Sequence, residues 1–218
     1  MKRFVIFLPG PYRRTRIGYF KKLCRSARTV AVDGGCRFFM AADFVPDIII
    51  GDLDSIRSIP RRFKAQSLLL THSPDKDKSD LHLALEYAMG EKARAVDIVS
   101  PVIDEVDHFL GNVMLLELID RMATSAVMPK VRIVAPDYEI LWVHDSSRSF
   151  SDCAGDRLSV IPMSAAIKLT CRGTEYPAER IRIGRGHSRG LRNRIIRGRA
   201  SVTIEGKALL VHYFSPLK

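Results

Sequence analysis

The chain has 218 residues, of which 46% are hydrophobic and 27% charged, as is usual for a soluble globular protein with one large or two small domains. No apolar run reaches the length of about 18 residues that a membrane-spanning helix needs, so no membrane span is expected. The four scattered cysteines lack a Cys-x-x-Cys pair and are expected to be free thiols of a cytoplasmic protein. The net charge of +11 suggests an anionic partner, although it could also serve solubility alone.

The first part of the chain alternates between short apolar runs and amphipathic segments. The start reads as a strand rather than a signal peptide, because its apolar run is short and no small-residue cleavage site follows. The later strands are predicted over residues 28–32, 48–51, 67–71, 95–100 and 130–135. The helices are predicted over residues 13–27, 37–42, 81–89 and 107–122, with a basic loop or helix over 57–64. This alternation predicts an α/β domain with a parallel sheet and helices on both faces.

The pattern changes after Pro136. Short alternating runs, separated by Gly and Asp turns, follow over residues 139–144, 157–161, 166–171, 180–183, 199–204 and 208–213. No convincing helix pattern accompanies them, so a small antiparallel β sandwich or barrel is predicted. We therefore expect two domains, residues 1–136 and residues 137–218.

Aspartates stand in the loops that directly follow the apolar runs of the first domain. They are Asp33, Asp52, Asp54, Asp75, Asp77 and Asp80. In an open α/β sheet, ligands bind beyond the carboxyl ends of the strands, where these loops lie. Gly34, Gly35 and Gly51 stand beside them and permit close approach of a ligand to the backbone.

Carboxylates that converge on one edge of a sheet need a cation. Two such charges ~5 Å apart repel by roughly 3 kcal/mol at an effective dielectric constant of about 20. An all-oxygen ligand set suits magnesium, manganese or calcium rather than zinc, and protein-bound magnesium usually also contacts substrate phosphates. The alternative is that these loops are rich in Asp only because turns are.

Other common nucleotide and metal motifs are absent from the sequence. There is no Gly-x-x-x-x-Gly-Lys-Ser/Thr loop and no Gly-x-Gly-x-x-Gly after a strand. The segment from Asp75 to Glu86 has Asp80 where an EF-hand loop needs glycine, and the six histidines lack metal-ligand spacing.

Four motifs in order carry a family resemblance. They are Asp33-Gly-Gly, Pro46-Asp47-Ile-Ile-Ile-Gly51-Asp52-Leu-Asp54-Ser55, Pro74-Asp75-x-Asp77-x-Ser79-Asp80 and Asp107-His108-x-Leu110-Gly-Asn112. In order, spacing and strand context this series resembles the thiamine pyrophosphokinase family. The resemblance covers residues 30–116 well and is fainter in the second half.

The resemblance implies an activity, a cofactor and partners. The activity is transfer of a diphosphoryl group from ATP to the hydroxyl of thiamine, which gives thiamine diphosphate and AMP. It implies Mg²⁺ as cofactor and a homodimer with the site between subunits, with neither membrane nor nucleic acid expected as a partner. The first domain would bind ATP and Mg²⁺, and the second would bind thiamine and contribute to dimerisation.

The resemblance also implies roles for individual residues. The expected metal ligands are Asp52, Asp54, Asp75, Asp77 and Asp80. The expected catalytic residues are Asp52, Asp54, Asp80 and Asp107. The expected contacts to ATP and its phosphates are Asp33, Gly34, Gly35, Asp75, Asp77, Ser79, His108 and Asn112. The expected contacts to the thiamine rings are Tyr176 and Asn193.

Two departures from the family pattern bear on the acceptor. Ile103-Asp104-Glu105 stands where the family usually has Gly-Gly-Arg, and Arg192-Asn193-Arg194 stands where it has Ser-Asn-Glu. Two arginines near the pocket of a cationic acceptor favour, as an alternative, a diphosphokinase on an anionic or neutral alcohol.

A second alternative comes from the arginine-dense run over residues 172–199 and the pI near 9.8. Both features suit a nucleic-acid-binding protein on a degenerate kinase fold. Against it, the run has few aromatic residues for base stacking, and phosphate-backbone binding would not need the aspartates.

Overall fold

The computed structural model describes residues 2–52, 59–72, 77–101, 105–122 and 129–214. It divides into two compact units, Met1–Pro136 and Asp137–Lys218. Within the described residues, no helix is both long enough and apolar enough to cross a membrane.

Unit 1 is a parallel sheet with helices between its strands. The strands are β1 (Arg3–Phe7), β2 (Arg28–Val32), β3 (Ile48–Gly51), β4 (Leu68–Thr71), β5 (Ala95–Val99) and β6 (Lys130–Val134). The helices are α1 (Arg14–Leu23), α2 (Cys36–Ala42), α3 (Arg61–Gln66), α4 (Asp80–Gly90) and α5 (Val106–Met122). All five strand pairings are parallel, in the order β6-β5-β1-β2-β3-β4. The predicted α/β class is confirmed.

The central strands of this sheet are buried because their apolar runs have no polar face. Val30, Ile48 and Ile50 are each no more than 1% exposed. On one side of the sheet, Phe7 of β1 stacks on Phe38 of α2 with ring centroids 4.0 Å apart. Aromatic pairs of this kind add to the free energy that area burial supplies, and here they join α2 to β1.

Unit 2 is built from antiparallel strands. They are β7 (Tyr138–Ser151), β8 (Arg157–Pro162), β9 (Ala166–Arg172), β10 (Ala178–Gly184), β11 (Asn193–Arg194) and β12 (Arg199–Tyr213). The first half of β12 pairs with β9 and its second half with β8, while β7 pairs with β12 along both halves. The buried side chains of these strands form one apolar cluster, as expected for the predicted small β sandwich.

The long strands of unit 2 differ from the sequence expectation. Residues 199–204 and 208–213, predicted as separate runs, belong to one strand, β12, and the run 139–144 extends to Ser151 in β7. Gly206 explains the difference for β12, because it has a φ of 106° at a register shift between Ile204 and Lys207. A glycine that reads as a turn in sequence here forms a β-bulge.

Candidate functional site

The cleft of unit 1 lies where the strand order of the sheet reverses. β1 has β2 on one side and β5 on the other. The 8–11 loop follows β1, Asp33 follows β2, and Ser100 follows β5. Together with the start of α4 and α5, these residues line a cleft of about 550 Å³. At such a reversal the loops that follow the two neighbouring strands diverge, and the crevice between them is the usual ligand site of an open α/β sheet.

Two glycines, Gly35 and Gly51, leave room for the close packing around Asp33. The residue is 9% exposed and has a φ of 41°, directly after β2. A Cβ on Gly51 would lie 1.6 Å from the Asp33 Oδ1 atom, and a Cβ on Gly35 would lie 2.0 Å from the Phe7 carbonyl oxygen. The turn after β2 can therefore lie against the backbone of β1, and the Asp33 carboxylate against the end of β3, only because both positions are glycine.

The start of α4 forms one wall of the cleft. The hydroxyl of Ser79 accepts a hydrogen bond from the backbone N–H of His82 at 3.3 Å, as an N-cap residue does. This cap places Asp80 in the first turn, where Ser79 and Asp80 both line the cleft. Asp77 is exposed, and Lys78 is directed along the helix to Glu86, whose pKa its ammonium hydrogen bond lowers.

The start of α5 forms another wall. His108 and Asn112 are four residues apart on one face of the helix, and both line the cleft with Phe109 and Glu105. The imidazole of His108 lies 3.5 Å from a Glu105 carboxylate oxygen. Asp107 is exposed, and its carboxylate accepts a hydrogen bond from the His108 backbone N–H at 2.9 Å. The lining residues of the cleft include His108 and Asn112 but not Asp107.

Arg37 is a residue of the cleft that sequence reasoning missed. It lies in the first turn of α2 and contributes to the lining beside Asp33 and Asp80. The sequence contains a clue, since Arg37 follows the Asp33-Gly-Gly turn after one intervening cysteine. Which way a residue in that turn points depends on how α2 packs, which the sequence pattern does not specify.

The carboxylates of the acidic edge suit a hard cation by their chemistry. Three of the expected ligands, Asp52, Asp77 and Asp80, are among the described residues, and they supply only oxygen atoms, the donor type that Mg²⁺ prefers. Asp54 and Asp75, two further expected ligands, lie outside the described residues. Within the described ranges, a group of three possible ligand side chains within 4.8 Å of one another occurs only in unit 2, at Cys153, Asp156 and His212.

Unit 2 contains a second cavity of about 420 Å³, and both predicted ring-binding residues line it. Tyr176 is 66% exposed, so its ring face is accessible. Leu158, Val160 and Leu169 provide apolar walls, as in most small-molecule sites.

Asn193 holds the chain segment that carries Tyr176. Its Nδ2 atom donates to the Tyr176 carbonyl oxygen at 2.8 Å and to the Thr174 hydroxyl at 3.1 Å. Its Oδ1 atom accepts from the Tyr176 backbone N–H at 3.0 Å. The amide group is thus used within the chain, and Asn193 positions Tyr176 at the cavity.

The arginines flanking Asn193 are exposed and do not line the cavity of unit 2. Arg194 Nε lies 4.0 Å from a Glu175 carboxylate oxygen, and the Arg192 backbone N–H donates to the Ser159 hydroxyl at 3.0 Å. The charged side chains that do line the cavity are Glu175 and Arg189, which sequence reasoning did not single out.

Comparisons with known proteins point to one family. The sequence model of the family described as "Thiamin pyrophosphokinase, catalytic domain" matches residues 20–128, half of the chain. A thiamine pyrophosphokinase of Bacillus subtilis is 29% identical over 195 residues, which cover 84% of each chain.

Solved structures share the fold. The crystal structure of a thiamine pyrophosphokinase from Bacillus subtilis superposes with a TM-score of 0.81 at 25% identity, covering 99% of this chain and 100% of the other. A thiamin pyrophosphokinase from Geobacillus thermodenitrificans gives 0.77 at 24% identity, with 99% of both chains covered. A thiamin pyrophosphokinase from Candida albicans gives 0.75 at 13% identity, covering 98% of this chain and 89% of the other.

Proposed function

Because the chain belongs to the thiamin pyrophosphokinase family, we propose that it transfers a diphosphoryl group from ATP to the hydroxyl of thiamine. The products are thiamine diphosphate and AMP. The observation that carries the proposal is the cleft beside β1, which combines carboxylates, a guanidinium and a hydroxyl in one concave site. Diphosphoryl transfer depends mainly on positioning and on neutralising charge, and this cleft supplies groups for both.

In this proposal unit 1 binds ATP. Arg37 provides a positive charge for the polyphosphate, and Ser79, His108 and Asn112 provide hydrogen-bonding groups along the same cleft. Asp33, which lines the cleft, and the Gly34-Gly35 turn after it are further proposed contacts to ATP.

Asp52, Asp77 and Asp80 are the described residues that would hold Mg²⁺, alongside Asp54 and Asp75, and of the three Asp80 lines the cleft. When bound, Mg²⁺ neutralises negative charge that develops on the transferred group. A carboxylate of this set accepts the proton of the attacking hydroxyl.

Unit 2 binds the acceptor in this proposal. The ring of Tyr176 stacks on a flat heterocycle, and Asn193 keeps the tyrosine in place through its three bonds to the 174–176 segment. The charged pair at the cavity, Glu175 and Arg189, matters for specificity, because Glu175 suits the positive charge of thiamine.

We extend the proposal to a homodimer, as the family resemblance implies. Sedimentation should then give a mass of twice the 24.5 kDa of one chain. A monomeric mass at working concentrations would contradict the dimer.

The test of the function is product analysis with ATP, Mg²⁺ and thiamine. The expected result is AMP and thiamine diphosphate in equal amounts. Tight ATP binding in the presence of Mg²⁺ without any thiamine product would overturn thiamine as the acceptor. Anionic and neutral alcohols would then be assayed as acceptors, with the same AMP readout.

A further inference from the structure

Three potential metal ligands meet in unit 2, and none of them lines either cavity. Cys153, Asp156 and His212 place a thiol, a carboxylate oxygen and a ring nitrogen within 4.8 Å of one another. The His212 Nε2 atom lies 2.6 Å from the Asp156 Oδ2 atom. His212 is 5% and Asp156 8% exposed, while Cys153 is partly exposed, so the group is reached from solvent on the thiol side.

Backbone hydrogen bonds and strand pairing fix the positions of the three ligand residues. Cys153 and Asp156 lie in the turn between β7 and β8, where the Asp156 N–H donates to the Cys153 carbonyl oxygen at 3.1 Å. The Cys153 N–H donates to the Gly198 carbonyl oxygen at 3.2 Å, which ties the turn to the segment before β12. His212 is in β12, opposite Glu139 of β7 and Leu158 of β8. Three strands therefore determine where the ligand atoms lie.

The second ring nitrogen of His212 has the partner that metal-binding histidines usually have. Its Nδ1 atom lies 3.3 Å from a Glu139 carboxylate oxygen. A carboxylate at this position orients a metal-bound imidazole and makes it a stronger ligand. The rings of Phe150 and Phe214 approach His212 edge-on with centroids 5.0 and 4.9 Å away and add an apolar surround.

We propose that Cys153, Asp156 and His212 form a binding site for a divalent transition-metal ion of the zinc class, with Glu139 as the carboxylate behind His212. A thiolate, an imidazole and a carboxylate are together a zinc-type ligand set, whereas Mg²⁺ prefers oxygen alone. Tetrahedral zinc has bonds of about 2.0–2.3 Å to these ligands, so the ligand atoms need to shift by no more than about 1 Å. A water molecule occupies the fourth position.

The proposed ion takes no part in the diphosphoryl transfer. None of its three ligands lines the cleft of unit 1 or the cavity of unit 2. A bound ion would instead join the turn between β7 and β8 to the end of β12. The inference is independent of the proposed diphosphoryl transfer.

Cobalt(II) titration of tag-free, metal-stripped protein tests the proposal. We expect one equivalent to bind with the visible absorption of a tetrahedral site and a thiolate-to-cobalt charge-transfer band, which cobalt at the carboxylates of unit 1 would lack, and Zn²⁺ should displace it. No such bands at excess cobalt would overturn the proposal and leave a hydrogen-bonded Asp156–His212–Glu139 group.

Two variants and a control locate the site. Cys153→Ser should abolish the charge-transfer band, while Cys24→Ser, which removes a thiol from unit 1, should keep it. Glu139→Gln should keep the band and weaken cobalt affinity by about 10–100-fold, as loss of a partner behind a ligand does. Because Glu139→Gln keeps all three ligands, an unchanged affinity in this variant would contradict the role of Glu139 even if Cys153→Ser failed to fold. A band that persists in folded Cys153→Ser would overturn the site.

Discussion

At the scale of single residues, the environments of the acidic side chains separate their roles. Asp33 is buried against Gly51, Asp80 faces the cleft from a capped helix, and Asp77 is exposed. Residues that look equivalent as members of one acidic motif therefore have different access to a ligand. Substitutions at single positions can distinguish them.

Asp80→Asn should lower kcat by at least about a hundredfold, because it removes a charge-stabilising group from the cleft. Steady-state kinetics with ATP and thiamine measures the effect. Asp43→Asn is the matched control, since Asp43 is exposed, pairs with Arg62 and lies outside the cleft lining. Turnover of Asp80→Asn close to that of the control would contradict a role in metal or phosphate binding.

Tyr176→Ala should raise the KM for the acceptor more than it lowers kcat, because the proposed role of the ring is to bind the acceptor rather than to take part in the chemistry. Tyr176→Phe keeps the ring and should have a nearly normal KM. Asn193→Ala should resemble Tyr176→Ala, since it releases the segment that carries the tyrosine. An unchanged KM in both alanine variants would exclude the stacking role.

Gly51→Ala should reduce the free energy of unfolding by at least about 2 kcal/mol. Its φ of 144° strains any side chain, a cost of about 1–3 kcal/mol, and the new Cβ must also displace the Asp33 carboxylate. Gly18→Ala is the control, because Gly18 is inside α1 and a Cβ added there would meet no atom within 4 Å apart from the adjacent backbone of its own helix. This substitution should stabilise the fold by about 0.5–1 kcal/mol. Urea unfolding measures both, and equal stabilities would argue against the close approach.

At the scale of elements, the carboxylate of Asp97 and two arginines form an ionic group that links β1, β5 and β6. Asp97 of β5 is 4% exposed and accepts from Arg132 Nε of β6 at 2.7 Å and from Arg3 Nε of β1 at 3.2 Å. The apolar runs specify that these strands are buried. The charged group specifies which strands are neighbours, because a buried carboxylate needs its partners alongside.

Asp97→Asn should lower the free energy of unfolding by about 1.5–3 kcal/mol, the range for hydrogen bonds to charged groups. The loss stays below the cost of breaking a fully buried pair, because the Arg3 and Arg132 side chains are 30% and 34% exposed and water can solvate them. Thermal and urea unfolding measure it. Asp43→Asn, which breaks the exposed pair with Arg62, should lower the free energy of unfolding much less. An equal loss in the two variants would contradict a special contribution of the buried Asp97 carboxylate.

The bounds of the elements show where sequence patterns are reliable. The predicted range 95–100 and the observed β5 differ by one residue, because its apolar run ends at a clear polar boundary. The first helix ends at Leu23, four residues before the predicted end, because Ser26 has a φ of 57° and stops it. The hydrophobic pattern of the sequence continues past the point where the helix stops, because the stop depends on the backbone angle of a single residue.

At the scale of the whole molecule, the charge of +11 does not require a nucleic-acid partner. Several arginines of the 172–199 run contact carboxylates, as Arg172 does with Glu179 and Arg180 with Glu205, both at 3.0 Å. Local pairing reduces the field that the sequence composition suggests, and exposed charges are screened over about 8 Å at physiological salt.

Binding to random-sequence DNA should therefore be lost at about 0.15 M salt, because it would depend on exposed charges alone. A fluorescence titration across salt concentrations measures it. ATP binding at the same salt is the control and should persist, since the proposed contacts to ATP in the cleft are direct. DNA binding that survives at this salt would support the nucleic-acid alternative.

The sequence alone determined the types of element, their order and the aspartates that follow the strands, because hydrophobic period and turn residues are local properties of the chain. Tertiary structure decided what depends on distant packing. Arg37 faces the cleft because α2 packs on β1, and the Asn193 amide is used by the chain itself. Asp156 and His212, 56 residues apart, meet because β8 and β12 pair in one register. No local pattern encodes such a meeting, since register depends on the whole set of strand pairings.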